Sequence, residues 1–300
     1  MFLLASAVCP GGMYMTSSVC TAEKICRALW VSLEDKSVGA KLHSSFQHAA
    51  NLSTPVGMLT LLSPGRGLQP GTVVLRQPMD FSLLDSRALT VRRSGIYRES
   101  EMLVDFRAAK SLNLTMQGDG VLPAQNIGFI RSFLTRHQDA GLVSLAFGRA
   151  DNPYAAFLSP RLDAFRKAVL EGSPGAALCA VRRIAGCGPG LTPSSDDWLC
   201  GYLAVLTARG GRQDLIAALA DTAAKCTNDI SANLLRWAGK GCFSEDVLSL
   251  AACLSGESGG EARQLALERV ADFGSSSGCD FLTGFYFGLL DIYANWREAT

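Results

Sequence analysis

The chain is short of charge and of histidine. Asp, Glu, Lys and Arg make up only 18% of its 300 residues, below the roughly 25% of an average soluble protein. The 28 basic and 27 acidic residues leave a net charge of +1, so there is no basic field to hold nucleic acid or anionic lipid. His43, His48 and His137 are the 3 histidines, none paired at i,i+3 or i,i+4 spacing, which argues against a His/Cys zinc site. No run of 18 apolar residues occurs; Phe281 to Leu290 comes closest and is bracketed by Asp280 and Asp291, too tightly for a membrane span. The apolar start Met1 to Val8 has no Lys or Arg before Lys24, and Val8 rather than a small residue precedes Cys9. Neither a secretory nor a lipoprotein signal is therefore expected. The 10 cysteines include no Cys-x-x-Cys, and a chain this long is not a small disulfide scaffold. Reduced thiols and a cytoplasmic location follow as expectations.

Apolar residues are abundant, at 48%. With so few charges to cover the outside, part of the surface is expected to be apolar and buried in a homo-oligomer or a complex. Up to about residue 120 the chain reads as short β-prone runs, Ala28 to Leu33, Gly57 to Leu62, Thr72 to Leu75 and Ala88 to Val91. Pro55, Pro64-Gly65, Pro70-Gly71 and Pro78 punctuate them. From Ala124 onward apolar residues recur at helical spacing, as in Ile127, Ile130, Phe133 and Leu134. The expected fold class is α+β: a mainly antiparallel β N-terminal domain over 1–120, a helical connection over 121–155 and an all-helical domain over 156–300.

The helical half carries one pattern twice. Asp196-Asp197-Trp198-Leu199-Cys200-Gly201-Tyr202 aligns with Cys279-Asp280-Phe281-Leu282-Thr283-Gly284-Phe285, each after a Ser-rich turn. The first copy begins Gly186-Cys187-Gly188-Pro189-Gly190-Leu191-Thr192-Pro193-Ser194-Ser195. Thr192 as N-cap and Pro193 at the first helical position predict a helix to about Ala208. A Gly-rich turn feeding a helix start suits an anion, because exposed N–H groups and the helix dipole favour negative charge. A tight turn with a well-capped helix accounts for the same residues. The aspartates oppose an anion unless they point away, meet a cation, or accept from amide or ureido N–H groups; the last is preferred for at least one. Gly201, Gly284 and Gly288 read as close-packing positions between helices. If the two helix starts face each other, one polar cleft collects Thr192, Ser194, Asp196, Asp197, Ser276, Ser277 and Asp280. Thr227, Asn228, Ser231 and Asn233, in a helical stretch from Asp214 to Trp237, read first as a solvated face, with approach to that cleft as the alternative. Arg182-Arg183 is the best cationic candidate for an anionic ligand; Arg92-Arg93, Arg98 and Arg107 read as surface residues.

Gly188-Pro189-Gly190-Leu191-Thr192-Pro193-Ser194-Ser195-Asp196-Asp197-Trp198-Leu199-x-Gly201, with Gly278-Cys279-Asp280-Phe281-Leu282-x-Gly284, resembles a family long filed as a domain of unknown function. That family includes a subunit of the oxamate carbamoyltransferase of anaerobic allantoin breakdown. The resemblance spans most of the chain, including Phe46 to Asn51 and Ser231 to Gly239, with the two Asp motifs as its specific part. The family usually has Ser-Gly-Asp-Asp, and Ser195 stands at the glycine position, where a Cβ narrows the backbone's approach to a ligand.

The resemblance implies a cytoplasmic carbamoyltransferase of purine catabolism. Oxalurate and phosphate give oxamate and carbamoyl phosphate, which a carbamate kinase then uses to make ATP. The chain is implied to act beside a larger acyl-CoA-synthetase-like subunit and a further subunit, binding a small carbamoyl or ureido substrate and phosphate, with no nucleic acid or membrane partner. On this reading Asp196, Asp197 and Asp280 are the catalytic residues. Gly188, Gly190, Thr192, Ser194, Ser195, Ser276, Ser277 and Gly278 bind substrate or phosphate. No metal ligand and no cofactor are required, Mg²⁺ being the one ion the aspartates could recruit. Positioning and electrostatics, without a covalent intermediate, carry the catalysis. Two other functions remain open: a scaffold or regulatory subunit that docks a catalytic partner, and a Mg²⁺-dependent hydrolase of an amide or N-glycosidic bond.

Overall fold

The computed structural model describes residues 19–84, 89–118, 122–256 and 258–298; the apolar Met1 to Val8 run and Ala88 lie outside them. The first part is a sheet of nine strands, β1 (Cys20–Cys26), β2 (Ser37–Ser45), β3 (Ala49–Thr54), β4 (Gly57–Leu62), β5 (Thr72–Leu75), β6 (Leu89–Arg92), β7 (Gly95–Arg98), β8 (Glu101–Asp105) and β9 (Lys110–Leu112). Their order is β5-β4-β3-β2-β6-β7-β8-β1-β9. An antiparallel pairing of β1 with β5 closes eight of them into a mixed barrel. Most neighbours are antiparallel; β1 runs parallel to β8 and β9, and β4 to β5. Closure leaves fewer unpaired strand edges. Ile25, Leu52, Leu61, Val73, Val91 and Val104 fill the barrel core, all fully buried.

Helices make up the rest: α2 (Gln125–Leu134), α3 (Pro153–Leu170), α4 (Pro174–Val181), α5 (Ser194–Ala208), α6 (Gln213–Ala224), α7 (Asp229–Gly239), α8 (Glu245–Ser255), α9 (Gly260–Ala271) and α10 (Ser277–Glu298). The class is α+β, as expected. Helix α5 is buried almost all round, the mark of a central helix rather than an amphipathic surface one. Around it Trp198 stacks on Tyr202 at 5.2 Å, with Phe165 edge-on to both rings.

Three local expectations are corrected. Ala28 to Leu33 is no strand: Arg27–Ser32 forms helix α1, whose Leu29, together with Leu33 one turn on, is buried. Two leucines four residues apart satisfy a helix as well as a β-prone run does. The stretch Asp214 to Trp237 is two helices, because the Asn228 side chain accepts from Ser231 N at 3.0 Å and starts α7 afresh. Pro193, not Thr192, is the N-cap residue of α5.

The close-packing expectation for the glycines holds with an added symmetry. A Cβ at Gly201 would lie 1.9 Å from Phe281 O, and one at Gly284 would lie 1.8 Å from Trp198 O. Each motif glycine thus receives the backbone of the opposite copy. Helices α5 and α10 cross about a local pseudo-twofold that brings their aspartate-bearing N-termini together. Barrel and helices are stitched directly: Met116 N donates to Gly241 O at 2.8 Å and Phe243 N to Leu114 O at 3.0 Å. Glu245 accepts from Leu68 N at 2.7 Å and from Lys24 Nζ at 3.0 Å.

Candidate functional site

The turn before α5 folds back on the helix it feeds. Gly188 has φ 141°, and a Cβ there would lie 2.3 Å from Ser194 N; glycine is required by both backbone conformation and contact. Ser195 closes the turn at both ends, its N–H donating to Cys187 O at 3.0 Å and its Oγ accepting from Cys187 N at 2.9 Å. Ser195 therefore ties the loop down. These bonds engage N–H groups that an anion at the helix start would need. Gly190, with φ 84°, is exposed and has open space around it.

The two adjacent aspartates live in different surroundings. Asp196, 1% exposed, has both oxygens engaged. Oδ1 accepts from Gly186 N at 2.8 Å; Oδ2 accepts from Thr227 Oγ1 at 2.6 Å and Ser231 Oγ at 2.7 Å. Thr227, just before α7, and Ser231 within it thus turn inward to Asp196, which overturns the solvated-face expectation for these two. Asp197 is also buried, yet its Oδ2 has no hydrogen-bond partner among the described residues. Burial drives its carboxyl well above the usual carboxylate range; nearby Asp280 and Asp196 add to the rise, while the Ser277 and Thr192 hydroxyls oppose it. Asp197 is therefore held in its neutral form well above the pH at which an exposed aspartate ionises.

Asp280, the counterpart of Asp197, is fully buried at the start of α10. Its Oδ1 accepts from Leu142 N at 2.6 Å, and its Oδ2 is without a partner among the described residues. Burial lifts it to about 6, against the opposing effects of the Leu142 amide and the Ser194 and Ser276 hydroxyls. The pairing is reciprocal across the pseudo-twofold: Ser277 of the second motif attends Asp197, and Ser194 of the first attends Asp280. Thr192 Oγ1 and Ser277 Oγ, 2.8 Å apart, bridge the two turns. Gly278 is a packing residue, since a Cβ there would meet Val270 O at 2.0 Å.

The aspartates part company at the surface of the cleft. Asp197, Ser277 and Gly278 line a cavity of about 100 Å³, whereas Asp196 and Asp280 do not. That volume holds several waters or a small solute. Most of its wall is apolar, including Leu234, Val247, Val270 and Phe281, with a few polar groups, the usual make-up of a small-molecule pocket. Asp246, Arg269 and Gln69 also line it; no motif or repeat singled them out, because they come from α8, α9 and the barrel. Cys200 lines it too, and burial above all pushes its thiol well above the usual range. Arg182 and Arg183 are exposed and do not line this cavity. Among the described residues no group of three or more His, Cys, Asp or Glu side chains could hold a metal ion, and no helix is long and apolar enough to cross a membrane.

A closed β barrel stitched to a helical unit, with two interlocked Asp-bearing helix starts beside a small cavity, defines a two-part protein with one candidate site in its helical half. Residues 184–289 match the family model described as oxamate carbamoyltransferase subunit AllH, and residues 19–111 match that of the AllH family N-terminal domain. The two matches together take in about two thirds of the chain, which belongs to the AllH family. No solved structure matches it.

Proposed function

We propose that the chain is the substrate-binding subunit of a carbamoyltransferase complex that converts oxalurate and phosphate to oxamate and carbamoyl phosphate, and that the cavity at Asp197 holds the carbamoyl-bearing substrate. The observation that carries this reading is the buried, partnerless Oδ2 of Asp197 on the wall of that cavity. A neutral carboxyl donates a hydrogen bond to a carbonyl oxygen and presents no charge against an anion. In its protonated form Asp197 therefore suits an anionic substrate despite the acidic motif.

In the reaction a phosphate oxygen attacks the ureido carbonyl carbon, a C–O bond forms, and the C–N bond to the oxamate nitrogen breaks. The proton of hydrogen phosphate ends on that nitrogen, so charge and atoms balance without a cofactor. Asp197 is suited to relay it, giving its proton to the leaving nitrogen and recovering one from phosphate. Ser277 and Thr192 position the carboxyl, Asp196 fixes the turn, and Asp280 supports the opposite helix start.

Turnover by the reconstituted complex tests the assignment. Asp197→Ala is expected to abolish it with the fold intact, while Asp197→Asn, which keeps a neutral donor but cannot relay a proton, retains substrate affinity and loses rate. Near-normal turnover by Asp197→Ala would transfer the chemistry to a partner and leave this chain as a scaffold. That second reading is favoured by one observation: the Gly-rich turn uses its own Gly186, Cys187 and Ser195 amides within the protein.

A further inference from the structure

The cavity at Asp197 has a mouth. Gln69, Asp246, Arg269 and Phe273 line both this cavity and a larger cleft of about 810 Å³ between the barrel and helices α8 and α9. Those shared residues form the throat where the cavity and the cleft adjoin. The barrel supplies one wall: a Cβ at Gly67 would lie 2.2 Å from Asp246 Oδ2, so the backbone of the barrel loop is pressed against the start of α8.

Charge in the throat is simple to assign. In the outer cleft, Lys24 and Glu245 form an ion pair with each other. Burial raises the Asp246 carboxyl, Glu245 and Asp272 raise it further, and Arg269 and Lys24 pull it back. Asp246 and Arg269 both line the throat. Of the residues that line the inner cavity, Asp197, Asp246 and Arg269 are the ones with acidic or basic side chains. Arg269 is the basic side chain of the inner cavity wall, with Asp246 on the same wall, so an anion that reaches Asp197 meets a guanidinium beside it.

Resting on the function proposed above, we infer that Arg269 is a specificity-determining residue that takes the carboxylate of a small carboxylate-amide ligand whose amide end reaches Asp197. A guanidinium matches a carboxylate with two parallel N–H donors, which a lysine ammonium cannot reproduce. The site is then completed across the two parts of the chain, with the helical half reading the ligand and the barrel loop shaping its approach.

The test is steady-state kinetics of the reconstituted complex with oxamate and carbamoyl phosphate as substrates. Arg269→Ala is expected to raise the KM for oxamate roughly ten- to a hundredfold, the loss of a charged hydrogen-bonding partner. Its kcat should fall far less, the KM for carbamoyl phosphate should stay put, and Arg269→Lys should recover part of the loss. An unchanged KM for oxamate in Arg269→Ala, with Asp197→Ala inactive, overturns this inference and leaves the proposed function standing. A raised KM for carbamoyl phosphate alone also overturns it, because Arg269 would then take phosphate. Full activity in Asp197→Ala removes the proposed function and this inference with it.

Discussion

Adjacent residues on a helix point about 100° apart, and that rotation separates the chemistry of Asp196 from that of Asp197. Asp196 accepts from the Gly186 amide and the Thr227 and Ser231 hydroxyls, and at 3.5 Å from Ser195 Oγ. Asp196→Ala orphans them and is expected to destabilise the chain by roughly 2–4 kcal/mol, read as a lower urea midpoint. Asp197→Asn removes a buried carboxyl that lacks a partner for Oδ2, so the same measurement should show little loss or a gain. A greater loss in Asp197→Asn than in Asp196→Ala would contradict the assignment of the first as the ligand-facing residue and the second as the structural one. Asp280 adds a pH signature. Its carboxyl is raised from 3.8 to about 6, so between those values the native state binds the extra proton and stability falls as pH rises. The fall is about 2–3 kcal/mol for a shift of this size; it is complete above the folded value and absent below about pH 4. Asp280→Asn should flatten that part of the urea-stability profile, and an unchanged slope would exclude Asp280 as its source.

At the scale of elements, the decisive contact is the crossing of α5 and α10. Gly284→Ala places a Cβ 1.8 Å from Trp198 O, and backbone cannot yield as a flexible side chain can. The helices must part, so the expected cost lies at or above the ordinary overpacking range of about 1–3 kcal/mol, with Gly201→Ala behaving alike. Thermal unfolding of both variants checks this; a wild-type midpoint in either would refute the crossing. This element was legible in the sequence because a repeated Asp-aromatic-Leu-x-Gly-aromatic pattern carries both its start and its packing glycines. Gly57 to Leu62 and Thr72 to Leu75 were legible as strands for a related reason, since glycine and proline punctuate compact apolar runs. Ala28 to Leu33 reads as a strand although Arg27–Ser32 is a helix, because six residues are too few to separate helical from strand periodicity. The break between α6 and α7 rests on one cap at Asn228, inside a stretch whose apolar spacing stays helical on both sides. Half of the candidate site was hidden for a different reason: Asp246, Arg269 and Gln69 belong to no shared motif and meet Asp197 only through tertiary packing.

At the scale of the whole molecule, one carboxylate adds side-chain bonds to the backbone stitching that joins barrel and helices beside the throat. Glu245 accepts from Leu68 N in the barrel loop and from Lys24 Nζ on β1, and its own N–H donates to Leu68 O at 2.9 Å. Asp246, the next residue, faces Gly67 and the cavity, so the same turn joins the two parts and shapes the mouth of the site. Glu245→Ala leaves the Leu68 amide and the Lys24 ammonium without their acceptor, a cost of roughly 1–3 kcal/mol. Its effect should also be directional, because the lost contacts lie between the parts rather than within either core. Trp198 sits at the centre of the helical core and Trp30 against the barrel core. With each indole retained alone as the fluorescent reporter, the two urea transitions should coincide when Glu245 is present and separate when it is alanine. The KM for oxamate of the reconstituted complex should rise in the same variant, since Arg269 then faces a mouth whose far wall is loose. Coincident transitions in Glu245→Ala would mean that the remaining contacts, the strand bridge at Thr115 and Cys242 and the backbone bond from residue 245 to Leu68 O among them, hold the two parts together without the Glu245 side chain. The throat would then be set by those contacts, and the rise in KM should vanish along with the split in the transitions.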